Sequence, residues 1–126
     1  MTVASMSVAT ASRVRRILLV EDEVLIAMVL EDMLGILGHV VVATPSTFAE
    51  ADAAIAAGGF DLVIADVNLG AQPIYPLADR VLAAGVSLIL ATGSHRDSLP
   101  ERFADVPLLA KPYALPAIED AVGKIF

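Results

Sequence analysis

The sequence predicts one α/β domain built on an open parallel sheet with helices on both faces. Two observations carry this prediction. Short apolar runs alternate with segments of helical period, and only a few residues connect them. Each run is apolar at successive positions and not at every second one, which is typical of strands covered on both faces.

Five runs are predicted as strands: 17–20, 39–43, 62–65, 88–91 and 106–110. They contain mostly Val, Ile, Leu and Ala and are bounded by polar or turn-forming residues. Pro107 cannot donate a backbone hydrogen bond, so the last strand is expected at an edge of the sheet.

Four segments have the period and the end signals of helices. The first, 23–37, is followed by Gly38, and its predicted apolar stripe is Ile26, Val29, Leu30, Met33 and Leu37. Thr47 and Glu50 have the spacing of a capping box and open the second helix. The third spans 76–84, and the fourth begins near Pro116.

The order of these elements favours the flavodoxin-like strand order 2-1-3-4-5 in a doubly wound sheet. The polar segment 94–105 contains Pro100 and leaves room for at most a short helix, so the helix between the fourth and fifth strands is predicted to be reduced.

Composition agrees with a globular domain. The chain has 126 residues, of which 57% are hydrophobic, and its lack of cysteine excludes disulfides and thiolate metal sites. The formal net charge is −7, and the only basic cluster is Arg13, Arg15 and Arg16, so nucleic acid is not an expected partner. Mean hydropathy is high, at +0.76, yet no apolar stretch approaches the ~20 residues of a membrane span.

Residues 1–14 are predicted to form a flexible N-terminal leader, followed by a domain over 15–126. The leader is rich in Ser, Thr and Ala and lacks the charge pattern of a secretory signal. We therefore expect a cytoplasmic protein without membrane insertion.

Polar residues follow the apolar runs at one end of the predicted strands. They are Glu21, Asp22, Asp66, Thr92 and Lys111. In a parallel sheet these ends share one edge, where ligands bind near the point at which strand order reverses. Neighbouring strands lie about 5 Å apart, so an extended lysine after the fifth strand can reach the carboxylate that ends the third.

Three carboxylates gathered there predict a divalent metal ion. At ~5 Å and an effective dielectric of ~20, each pair repels by about 3 kcal/mol. A hard cation with oxygen ligands compensates this repulsion, and Mg²⁺ is the natural candidate on Glu21, Asp22 and Asp66. The backbone carbonyl of Asn68, two residues after Asp66, can supply another oxygen.

A carboxylate can also act as a nucleophile that accepts a phosphoryl group. Phosphoryl transfer needs in-line positioning and neutralisation of the equatorial oxygens. Metal on the acidic pair, the Lys111 ammonium and the Thr92 hydroxyl match those needs. The inventory therefore matches phosphoryl transfer to a carboxylate of this cluster.

These residues closely resemble the pattern of response-regulator receiver domains of two-component signalling. That pattern is an acidic pair after strand 1, an Asp ending strand 3, Thr or Ser ending strand 4, and Lys-Pro after strand 5, and the resemblance covers about 15–126. It implies that Asp66 is the phosphoacceptor and that Thr92 and Lys111 bind the phosphoryl group. It implies Mg²⁺ on Glu21, Asp22 and Asp66 with the Asn68 carbonyl, and it allows a cis bond before Pro112.

The run from Leu90 to Gly93, with the later Lys111-Pro112-Tyr113, resembles a subgroup of stand-alone receivers with a Phe-Ala-Thr-Gly-type signature and a reduced fourth helix. The chain departs from the family at three positions. Leu90 replaces the aromatic of that signature, Ser94 replaces the following Tyr, and Leu108 replaces the aromatic that often precedes the lysine by three residues.

The predicted function is a phosphoacceptor switch and not a turnover enzyme. The resemblance implies a histidine kinase or phosphotransfer protein as donor, and an unknown downstream protein as target. Almost nothing follows the last predicted helix, so output is expected through protein contact.

Three other functions compete with this prediction. They are a pseudo-receiver that docks without phosphorylation, a haloacid-dehalogenase-type phosphatase, and a flavin or nucleotide binder. The phosphatase needs an acid where Asn68 stands. The flavin or nucleotide binder needs a loop that offers N–H groups after strand 1, where the chain has three acids.

Several residues also have plain structural interpretations. Asp22 or Glu23 can simply cap the first helix. His39 is interpreted as a solvated strand start, His95 as a loop residue, and Tyr113 as either a packing residue or part of a partner surface.

Overall fold

The fold is a five-stranded parallel sheet, and the computed structural model describes residues 14–93 and 99–126. Its strands are β1 Arg16–Val20, β2 Val40–Ala43, β3 Leu62–Asp66, β6 Ser87–Thr92 and β7 Leu108–Ala110. Their order is β2-β1-β3-β6-β7, and all neighbours pair in parallel. This order is the predicted 2-1-3-4-5, so the predicted fold class is confirmed. The last strand lies at an edge, as Pro107 before it predicts.

Two short strands form a separate hairpin that the sequence did not predict. They are β4 Asn68–Leu69 and β5 Gln72–Pro73, which pair antiparallel directly after β3. Strands of two residues carry too little periodicity to be recognised in a sequence. The hairpin matters because it begins two residues after Asp66.

Four α-helices lie within the described residues: α1 Val24–Ile36, α2 Phe48–Ala57, α3 Tyr75–Ala83 and α4 Leu115–Ile125. Of the segment predicted to hold a reduced helix, the described part contains a single 3-10 turn, Glu101–Phe103. None of the described helices has the length and apolarity needed to cross a bilayer. The predicted leader up to Arg13, and the predictions for Ser94 and His95, lie outside the described residues.

Both faces of the sheet carry a core layer. In β1, Leu18 and Val20 belong to the layer covered by α2, α3 and the 3-10 turn. Ile17 and Leu19 belong to the layer covered by α1 and α4. Successive strand residues point to opposite faces, so both layers need apolar side chains. This explains why the strands are continuously apolar.

The predicted stripe of α1 is wrong at Val29. The buried residues of this helix are Ala27, Leu30 and Leu34, whereas Val29 is 48% exposed. Apolar side chains surround nearly the whole first half of this helix, so periodicity alone does not select the face that packs. Several apolar side chains of this helix therefore stay exposed, among them Leu25 and Val29.

The capping signal of α2 is present with one change. The Glu50 amide donates to Thr47 Oγ1 at 3.1 Å, as in a capping box. The Glu50 carboxylate, however, accepts from the Ser46 amide at 3.1 Å and not from the amide of Thr47. The helix still begins after Thr47, as the motif predicts, and only the reciprocal contact of Glu50 is shifted by one residue, to Ser46.

His39 links the beginnings of β1 and β2. Its Nδ1 accepts a hydrogen bond from the Arg15 amide at 3.1 Å, which requires a neutral ring. Burial, together with the nearby Arg15 charge, lowers the pKa of His39 below its usual 6.5. The interpretation as a merely solvated residue is therefore incomplete.

We expect stability to fall as pH drops below about 6.5, because the unfolded chain then binds a proton that native His39 resists. The loss grows until the pH reaches the lowered native pKa. Thermal melts of the wild type and of His39→Asn between about pH 7.5 and 5.5 test this expectation. The variant, whose amide oxygen still accepts from Arg15, should lose less stability on acidification. Equal losses in the two chains would contradict it.

Candidate functional site

Polar residues at the carboxyl ends of four strands meet at one edge of the sheet. Glu21 directly follows β1, Asp66 ends β3, Thr92 ends β6 and Lys111 directly follows β7. Asp66 is in register with Ala91, the residue before Thr92, and Thr92 is in register with the residue before Lys111. The parallel register therefore places these groups side by side.

Lys111 is the centre of this arrangement. Its Nζ lies 2.6 Å from Asp66 Oδ2 and 3.1 Å from Glu21 Oε1. The Lys111 side chain is 18% exposed, while Asp66 and Glu21 are buried. Its amide also donates to the Thr92 carbonyl at 3.1 Å, and its peptide bond to Pro112 is cis.

Asp22 completes an acidic cluster with Glu21 and Asp66. One carboxylate oxygen from each of these residues lies within 4.8 Å of the others. The charges do not cancel, because in the described part of the chain one ammonium faces three carboxylates. At such separations the repulsion is worth about 3 kcal/mol per pair at an effective dielectric of ~20.

Backbone amides hold each carboxylate of the cluster. Glu21 Oε2 accepts from the Glu23 amide at 3.2 Å, and Asp66 Oδ1 accepts from the Asn68 amide at 3.2 Å. Asp22 Oδ2 accepts from the Gly70 amide at 3.0 Å. Neither Asp22 nor Glu23 caps α1 through its side chain, so the helix-cap interpretation does not hold.

The surroundings shift the pKa values of Glu21 and Lys111. Burial raises the pKa of Glu21, although the Glu23 amide and Lys111 oppose the shift. Burial alone lowers the pKa of Lys111, but its hydrogen bond to Asp66 and its ion pair with Glu21 outweigh burial and leave the pKa raised. Lys111 is therefore a permanent cation in this site.

These residues fit a hard divalent cation. Glu21 Oε1 is buried, and no residue within 14–93 and 99–126 donates a hydrogen bond to it, since its contact with Lys111 has ion-pair distance without hydrogen-bond direction. Such an orphaned oxygen, with two further carboxylates beside it, matches the oxygen ligands that Mg²⁺ prefers. Asn68, whose amide already contacts Asp66, adjoins the same cluster.

An apolar cavity of about 250 Å³ opens next to the acidic cluster. Its lining is Leu25, Ile26, Val29, Lys111, Pro112 and Tyr113. Two α1 residues of its rim are exposed on the surface, Leu25 at 76% and Val29 at 48%. Tyr113 is half-buried against the α1–α4 core layer, and this burial raises its pKa.

Sequence reasoning missed two features of the site. The Gly70 amide was not expected to hold Asp22, because the hairpin that carries it was not predicted. The cavity was also not expected, although the excess of apolar residues on all sides of α1 was a usable signal. The five polar strand-end residues are all at the predicted edge.

The fold and site define a doubly wound α/β domain with an acidic, lysine-bearing pocket at the carboxyl edge of its sheet. Neither a family model nor a curated protein matches the chain. Solved structures do match. SdrG from Sphingomonas melonis Fr1 is 41% identical, with a TM-score of 0.78, over 87% of this chain and 94% of that one.

Two PhyR structures are also similar. The response regulator PhyR from Brucella abortus is 26% identical with a TM-score of 0.75, covering 98% of this chain and 53% of its own. The PhyR response regulator REC domain from Erythrobacter litoralis is 28% identical with a TM-score of 0.71, covering 87% and 88%. The chain therefore belongs to the response-regulator receiver domain family.

Proposed function

We propose that the chain is a phosphoacceptor response regulator in which Asp66 accepts a phosphoryl group in the presence of Mg²⁺. A histidine kinase or a histidine phosphotransfer protein is the proposed donor. The phosphorylated chain signals through contact with a downstream protein. A cytoplasmic location is part of this proposal.

The observation that carries the proposal is the contact between Lys111 Nζ and Asp66 Oδ2 at 2.6 Å within an acidic cluster. If Asp66 were only a solvated residue at the end of a strand, it would not need a lysine ammonium in direct contact with its carboxylate. Such a contact is useful when that carboxylate gains a dianionic group, since the ammonium then offsets the added charge.

In the proposed step an oxygen of Asp66 attacks phosphorus. The bond between phosphorus and the donor imidazole nitrogen breaks, and its electron pair stays with the imidazole. The product is an acyl phosphate on Asp66. Mg²⁺ held by Glu21, Asp22, Asp66 and the Asn68 carbonyl would neutralise charge on the phosphoryl oxygens.

Thr92 is the proposed second contact for the phosphoryl group. It is buried and lies in the β6 position next to the register partner of Asp66. Leu108 stands where many receivers carry an aromatic, and it is half-buried against the α2–α3 core layer. We therefore propose that movement of Thr92, not of an aromatic at position 108, starts the response of the β6–β7 face.

A structural neighbour supports this assignment. The BeF3-activated conformation of SdrG matches the chain with 41% identity and a TM-score of 0.76. The chain belongs to the same family as that protein, and it has the acidic cluster and the lysine that the proposed phosphoryl transfer needs.

Incubation with two donors tests the proposal. Wild-type protein is mixed with acetyl phosphate, or with a radiolabelled phosphohistidine protein, in Mg²⁺ or in excess chelator. We expect uptake of one phosphoryl group with Mg²⁺ and almost none with chelator. No uptake from either donor in Mg²⁺ would contradict the proposal and favour the pseudo-receiver. Rapid multiple turnover of a phosphomonoester would favour the phosphatase.

The apolar rim of the cavity is the proposed contact surface for the protein donor. A donor histidine that reaches Asp66 must bring its own surface against the mouth of the site, where Leu25 is 76% exposed. Burying a leucine is worth about 1.5–3 kcal/mol. The surface is therefore expected to contribute to transfer from a protein and much less to uptake from a small molecule.

Leu25→Ser should lower the ratio of phosphohistidine transfer to acetyl phosphate uptake by about tenfold. Ile36→Ser is the matched control, because Ile36 is 72% exposed at the other end of the same helix. Equal ratios for the two variants would show that the donor does not use this rim.

A further inference from the structure

The hairpin turn at Gly70 contacts the proposed metal site, although Gly70 is not one of the polar residues at the strand ends. β4 and β5 are joined by the two residues Gly70 and Ala71, with Leu69 paired to Gln72. Gly70 has φ +61°, and no residue other than glycine has positive φ within the described chain. Positive φ at the first residue of a two-residue hairpin loop favours glycine there.

This turn aims a backbone donor at Asp22. The Gly70 amide donates to Asp22 Oδ2 at 3.0 Å, across 48 residues of sequence. Asp22 lies in the loop between β1 and α1 and is half-buried, so core packing does not fix its side chain. The Gly70 amide is the only hydrogen-bond donor to Asp22 within 14–93 and 99–126 that the structure shows.

The hydrogen bond from Gly70 to Asp22 opposes charge repulsion within the acidic cluster. Asp22 shares its cluster with Glu21 and Asp66, and like charges push the most exposed of the three toward water. A hydrogen bond to an ionised carboxylate opposes that movement. A carboxylate has two oxygens, so Oδ2 can hold Gly70 while Oδ1 remains available to a cation.

We propose that Gly70 is a positioning residue that preorganises Asp22 for Mg²⁺ through its backbone amide. This inference rests on the proposed metal site. Because the coupling is reciprocal, Mg²⁺ on Asp22 also stabilises the hairpin. The hairpin begins at Asn68, whose amide contacts Asp66, so it links two of the proposed ligands.

Gly70→Ala is the primary variant. An added Cβ would lie 3.9 Å from Asp22 Oδ2, which is ordinary contact, so the substitution acts through the disfavoured positive φ and not through a clash. Without Mg²⁺, the turn in this variant relaxes and its amide no longer holds Asp22. Binding of Mg²⁺ must then restore the turn conformation and the position of the Asp22 side chain. The Mg²⁺ dissociation constant should rise about tenfold.

Two further variants separate positioning from general strain. Gly85→Ala imposes positive φ at +76° after α3, with open space around the new methyl group. Gly70→Asn places a residue that tolerates positive φ at the same turn. Gly85→Ala should bind Mg²⁺ like the wild type, and Gly70→Asn should bind more tightly than Gly70→Ala.

Mg²⁺ titration of the ¹⁵N-labelled proteins, followed by amide chemical shifts including that of Gly70, measures the constants without any phosphoryl donor. Equal affinity of Gly70→Ala and wild type would overturn the positioning role while leaving the proposed function intact. Equal weakening in Gly70→Ala and Gly85→Ala would also overturn it. Failure of the wild type to bind Mg²⁺ would overturn this inference and the proposed metal site together.

Discussion

The Asp66→Asn protein is expected to take up no phosphoryl group from acetyl phosphate under conditions that label the wild type fully. Asparagine keeps the shape of the side chain and can still contact Lys111, but it lacks the carboxylate oxygen that attacks phosphorus. The expected effect is therefore loss of the reaction and not a change in its rate. Intact-protein mass spectrometry measures the labelled fraction.

Asp32→Asn is the matched control, because Asp32 is an exposed acid on α1, away from the sheet edge. It should label like the wild type. The hypothesis fails if Asp66→Asn retains substantial label, or if both variants lose it equally.

Lys111→Met is expected to have two opposite effects. Removing the ammonium leaves Glu21 and Asp66 without their nearest positive charge, so the site should bind Mg²⁺ at least as tightly as in the wild type. Phosphoryl uptake should nevertheless fall by about 100-fold or more, the usual cost of removing one group that stabilises developing oxyanion charge. Methionine keeps the unbranched shape of the lysine stem.

The comparison with Lys124→Met separates this effect from the loss of any ion pair. Lys124 pairs with Asp120 at 3.3 Å on the exposed side of α4 and lies outside the site. Its replacement should leave both Mg²⁺ affinity and uptake rate unchanged. Weaker Mg²⁺ binding by Lys111→Met, or an unchanged uptake rate, would contradict the role assigned to Lys111.

The strands and the position of the site at the sheet edge were predictable, because each follows from a local sequence pattern that is compatible with one arrangement only. Continuous apolar runs specify strands covered on both faces, and parallel topology forces their polar ends together. Asp66 and Lys111 are 45 residues apart, yet their contact follows from the strand order alone.

The buried face of α1 and the hairpin at Gly70 were not predicted, because each depends on packing between distant parts of the chain. α1 is apolar on most sides, so burial of Ala27 in place of Val29 is decided by its fit against α4 and the sheet. The hairpin at Gly70 consists of two-residue strands, and its amide reaches Asp22 only after the fold has formed.

Mapping the label in the wild-type protein tests the central claim most directly. After incubation with acetyl phosphate and Mg²⁺, borohydride reduces the acyl phosphate, and peptide mass spectrometry locates the modified residue. Modification confined to Asp66 is the predicted result. Modification of another acid or of a histidine, with Asp66 intact, would contradict the account.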